Sequence, residues 1–76
     1  MTDGQACQVL ADKIEALLAG VRRPWRVRCE PYGAYGYRAI AAGRVPADLA
    51  GRVGLATGAA RVTIQQSGGQ SVITLE

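Results

Sequence analysis

The chain has 76 residues, a formal net charge of +3 and no histidine, and 49% of its residues are apolar. That length allows one domain with a small core, and the apolar content excludes a chain disordered by composition. Without histidine the commonest general base, metal ligand and activator of a serine or cysteine nucleophile is missing, so neither an enzyme nor a cofactor or metal site is expected.

From the N-terminus, Cys7, Leu10, Ile14, Leu17, Leu18 and Val21 fall on a stripe about 120° wide at helical winding, with Gln5, Gln8, Asp12 and Glu15 turned away. The pattern predicts an amphipathic helix over about residues 3–19. Thr2 and Gln5 have the spacing of a capping box, Gly20 suits a left-handed residue past the last turn, and Pro24 forbids continuation. Arg22 and Arg23 then follow the C-terminus, where positive charge meets the helix dipole favourably.

Residues 25–30 alternate apolar and charged, which predicts a strand with Trp25, Val27 and Cys29 inward and Arg26 and Arg28 outward. A second strand follows over about residues 35–42, across Pro31-Tyr32-Gly33-Ala34. Two registers compete. A two-residue Gly33-Ala34 turn sets Ile40 opposite Val27 on the core side, directs Arg38 toward the Cys29 side of the sheet and leaves Tyr37 beside Arg28 and Glu30; a three-residue loop centred on Gly33 turns Tyr37 and Ala39 inward. The first is preferred, because glycine at the first central position is what a type II′ turn requires.

Between Gly43 and Gly58, Pro46-Ala47-Asp48 suits the opening of a short helix carrying Leu49 and Val53 on one face. Gly51 and Gly54 limit it to one or two turns followed by a flexible loop. In the last segment a Gly68-Gly69 turn pairs Ile64 with Ile73, Val62 with Leu75, Thr63 with Thr74 and Arg61 with Glu76, and a one-residue slip would oppose apolar to polar residues. Both isoleucines should face the N-terminal helix. The fold class expected is α+β, one domain over residues 1–76: a four-stranded antiparallel sheet of two hairpins, the N-terminal helix on one face and the other face largely open.

No motif carries catalytic chemistry. Cys7 and Cys29 lack the paired spacing of zinc sites and are expected to be free core thiols, because a chain with no apolar membrane-length run and no basic-then-apolar leader reads as cytoplasmic. Asp12 and Glu15 read as a solvated helix face. The run 51–58 lacks the spacing of a phosphate-binding loop. Gly33-Ala34-Tyr35-Gly36 matches the GxxG of KH domains, but there the loop joins helices and here strands flank it.

The positive charge is concentrated in the middle third, where Arg22, Arg23, Arg26, Arg28, Arg38 and Arg44 face Glu30 alone. In the first hairpin these arginines mingle with Tyr32, Tyr35 and Tyr37, and arginine and tyrosine dominate binding hot spots. The candidate partner-binding residues are therefore Arg26, Arg28, Tyr35, Tyr37 and Arg38. The function expected is a non-enzymatic module that occupies the surface of a protein or nucleoprotein complex. Small motif-less proteins encoded by phages and other mobile elements, anti-CRISPR proteins among them, act in this way; the analogy rests on size and absence of catalytic groups. Two alternatives stand beside it: direct nucleic-acid binding, with arginines on phosphates and tyrosines on bases, and self-association through the sheet. No membrane association is expected.

Overall fold

The first helix begins where its capping box places it. In the computed structural model, which describes residues 2–21, 25–34 and 36–76, α1 spans Asp3–Leu18. Thr2 Oγ1 accepts the Gln5 N–H at 3.2 Å, and Gln5 Oε1 accepts the Thr2 N–H at 2.9 Å. The expected stripe is the buried one: Ile14 and Leu18 are inaccessible to solvent, Cys7 and Ala11 are buried beside them, and Leu10, Leu17 and Val21 pack partly buried on the same core. The end of α1 departs from expectation. Ala19 closes it in right-handed conformation and Gly20 does not take a left-handed one, so the last turn tightens instead, with the Val21 N–H donating to Leu18 O at 2.9 Å. Arg22, Arg23 and Pro24, assigned to the helix exit, lie outside the described residues.

Strands β1 (Val27–Tyr32) and β2 (Gly36–Ala41) form the first hairpin. The preferred two-residue turn is overturned. Tyr32 pairs with Gly36 and Val27 with Ala41, so the loop has three residues, 33–35, centred one residue later than the alternative considered. The faces are nonetheless those of that alternative: Ala39 and Ala41 are fully buried, and Tyr37 shares their parity. The reason is steric. A Cβ on Gly36 would lie 2.7 Å from the Leu75 carbonyl oxygen and 2.9 Å from that of Tyr32. The position opposite Tyr32 therefore admits only glycine, whereas a two-residue turn would have put Tyr35 there.

The 43–58 segment is more ordered than its glycines suggest. α2 spans Leu49–Thr57, with Leu49 and Val53 fully buried, as their spacing indicated, and Gly51 and Gly54 inside it. Pro46 precedes the helix, and its carbonyl accepts the Leu49 N–H at 3.1 Å. Gly58, left-handed at φ +76°, ends it by donating its N–H to Gly54 O at 2.9 Å. Two apolar side chains in the core outweigh the cost of two glycines, about 1 kcal/mol each.

The second hairpin, β3 (Val62–Ser67) and β4 (Gln70–Leu75), has the expected register throughout: Ile64 opposite Ile73, Val62 opposite Leu75 and Thr63 opposite Thr74. Arg61 and Glu76 continue it through backbone hydrogen bonds in both directions. Gly68 and Gly69 take φ +56° and +81°, the left-handed pair of a type I′ turn.

The α+β fold expected from the sequence is the one formed, in the order α1-β1-β2-α2-β3-β4. β2 also pairs with β4, giving a four-stranded antiparallel sheet ordered β1-β2-β4-β3. Both helices cover the same face. α1 lies over β1 and packs against α2, while α2 lies over β3, so Ile64 sits beneath the second helix rather than the first. Polar anchors fasten the layers. Glu15 Oε1 accepts the Val27 N–H at 2.9 Å, and Lys13 Nζ donates to Ala56 O at 3.3 Å. Fully buried Ser71 pins the β2–α2 connection, its hydroxyl donating to Gly43 O at 2.6 Å and accepting the Val45 N–H at 3.1 Å.

Candidate binding surface

Alternation along the strands decides what reaches the uncovered face. Since Ala39, Ala41, Ile73 and Leu75 point to the helices, Arg38, Ile40, Val72 and Thr74 lie on the other side. The β1 residues with the same parity are Arg28, Glu30 and Tyr32. Ile40 is the centre of the group: it stands opposite Arg28 on one side and Val72 on the other, and both apolar side chains remain partly exposed. At the end of the sheet nearest Arg26, a shallow cavity of about 260 Å³ is bounded by Arg26, Arg28, Ile40, Ala42 and Gln70.

Arg38 is held in place. It faces Glu30 across the β1–β2 pair, forming an ion pair in which Nε donates to Oε1 at 2.9 Å, and its guanidinium carbon lies 4.9 Å from the centroid of the Tyr32 ring. This corrects the expected placement of Arg38 toward Cys29, and it means that much of its charge is already satisfied. Arg26 and Arg28 are exposed and make no ion pair with another described residue.

Of the five candidate residues, the structure gathers Arg26, Arg28 and Arg38 on one face and separates Tyr37 from them. Tyr37 lies on the helix side between Pro31 and Leu75, lining a cavity of about 410 Å³ with Leu10, Thr57 and Ala59. The three-residue loop is the cause, because one residue more in the loop exchanges the faces of every residue after it. Tyr35 falls outside the described residues. Tyr32, Ile40 and Val72 also lie on this face and are not among the five candidate residues. Tyr32 was legible from the alternation that puts Arg28 and Glu30 outward, and Val72 from the one that puts Ile73 inward, whereas the direction of Ile40, expected on the core side, depends on the register of the first hairpin.

On the covered side the two thiols meet. Both are free; Cys7 is buried on α1 and Cys29 half-buried on β1, and both line one cavity of about 400 Å³. Burial pushes the Cys29 thiol up to about 12, and the neighbouring Cys7 side chain and the Glu30 charge act in the same direction. Among the described residues no three His, Cys, Asp or Glu side chains cluster as metal ligands would, and no helix is long and apolar enough to cross a membrane. Comparison with protein-family models, curated protein sequences and solved structures gives no match to this chain.

Proposed function

We propose that this protein is a non-enzymatic binding module of the cytoplasm that docks its uncovered sheet face on an acidic surface of a protein or nucleoprotein complex. The observation that carries the reading is the composition of that face. The adjacent Ile40 and Val72 supply an apolar centre, and Arg26, Arg28 and the Arg38–Glu30 pair supply a polar rim, which is the anatomy of a protein interface. An inhibitor of a host nucleoprotein complex, encoded by a phage or mobile element in the manner of anti-CRISPR proteins, is the biological role that suits a chain this small. Direct nucleic-acid binding is less favoured. Tyr32 already carries a guanidinium near its ring and Tyr37 lies on the helix side, which removes two stacking platforms from the basic face.

The test uses the tagged full chain, retained partners being compared with and without nuclease and at rising salt. Retention that survives nuclease, and that Ile40→Asp and the Arg26→Ala/Arg28→Ala double variant each reduce tenfold or more, supports the reading. The double variant should melt as the wild type does, since exposed charges contribute within about 0.5 kcal/mol. Retention abolished by nuclease and falling steeply with salt would transfer the function to nucleic acid. Undiminished binding by both folded variants would move the surface elsewhere.

A further inference from the structure

Cys7 and Cys29 come from separate elements, yet the packing of α1 over β1 brings them together. Cys7 belongs to the buried stripe of α1. Cys29 sits on the helix-facing parity of β1, opposite fully buried Ala39. The two thiols share a cavity that also reaches Gly4, Gln8 and Glu30, and Cys7 is one of the neighbours that act on the Cys29 thiol. β1 is an edge strand, paired only with β2, so α1 is its second attachment.

We propose that Cys7 and Cys29 are the two halves of a reversible disulfide that staples the first helix to the edge strand, formed by exchange with a low-molecular-weight disulfide that enters through their shared cavity. Cys29, the more accessible thiol, gives up its proton to solvent, a step that its upward-shifted thiol slows near neutral pH and that alkaline buffer favours, and its thiolate attacks one sulfur of the small disulfide. One small thiolate leaves and a mixed disulfide remains on Cys29. The Cys7 thiolate then attacks the Cys29 sulfur and expels the second small thiolate. The two protein thiols give up two electrons and two protons, and the small disulfide is reduced to two thiols. Ile14 and Leu18 hold α1 against the sheet, so the two thiols start from one shared cavity and not from separated elements. The bond forms whatever the open face binds.

The full chain contains only these two cysteines, so an intramolecular disulfide in a monomer has one possible assignment. Prolonged incubation with oxidised glutathione in alkaline buffer, at about pH 9 so that thiolate is available, followed by intact mass, thiol titration and thermal melting, gives the answer. The expected product is a monomer lighter by two hydrogens, without titratable thiols, melting on the order of 10 °C higher and restored by dithiothreitol. Cys7→Ala, carrying one thiol, should take up glutathione or remain free without that rise. A wild-type chain that keeps both thiols, yields only glutathione adducts or crosslinked dimers, or closes the bond without a higher melting temperature overturns the proposal.

Discussion

At the scale of single residues, two glycines that look alike in the sequence have opposite roles. Gly36 is held by its surroundings, since its Cβ position is already occupied by the carbonyl oxygens of Leu75 and Tyr32. Gly36→Ala must displace backbone on one side or the other, and we expect a loss of about 1–3 kcal/mol, read as a lower urea midpoint. Gly51 lies within α2 with nothing inside 4 Å of the corresponding position. Gly51→Ala should raise the same midpoint by about 0.5–1 kcal/mol, because alanine restricts the unfolded chain and favours the helix. An equal effect at both positions would show that crowding at Gly36 is not what fixes the first hairpin. Ser71 belongs to the same scale. Nothing in its sequence neighbourhood marks a buried polar anchor, and its importance lies in the Gly43 and Val45 backbone groups that it satisfies.

At the scale of elements, α1 contributes most through the side chains that reach the sheet. Ile14 has no solvent exposure and lies in a cluster with Leu18, Ala39, Val53 and Ile73. Ile14→Ala should cost about 2–5 kcal/mol in denaturant unfolding, the range for a packed aliphatic side chain replaced by a cavity. A loss below about 1 kcal/mol would mean that the helix docks loosely and that the core is held by α2. α2 itself shows how tertiary contact overrides local preference. Its glycines and unassisted N-terminus, where the Asp48 side chain makes no cap bond, argue for a short helix, and burial of Leu49 and Val53 extends it.

At the scale of the whole molecule, stability is linked to pH through Cys29. Burial, and Cys7 beside it, push its thiol up to about 12 in the folded state from an ordinary value of 9.0. Between these values the unfolded chain has released a proton that the folded chain retains, so rising pH favours unfolding. The contribution is complete below pH 9 and is lost progressively toward 12. Urea midpoints measured from about pH 8 to about pH 11 should fall more steeply for the reduced wild type than for Cys29→Ser, in which position 29 no longer titrates while the other ionisable groups are the same in both. Parallel curves would remove the linkage. The same whole-molecule geometry separates the two tyrosine environments: alternation along β1 puts Tyr32 on the open face, and the register set at the first loop puts Tyr37 on the covered one.

The sequence by itself determined what depends on neighbours a few residues apart. The Thr2–Gln5 capping box, the buried stripe of α1 and the full register of the Gly68-Gly69 hairpin are set by spacings of two to four residues and a tight turn, where local geometry leaves one solution. From these and the alternation of the first strand, the α+β order of elements was legible, and so was the outward direction of Arg26 and Arg28. The tertiary structure alone decided the rest. The first hairpin's register depends on how closely Leu75, from the far end of the chain, approaches Gly36, and with it the placement of Arg38 on Glu30 and of Tyr37 away from the arginines. The length of α2 and the meeting of Cys7 with Cys29 likewise depend on surfaces joined only when the chain has folded. Periodicity gives the direction in which a side chain points, and packing between remote segments determines what it meets there.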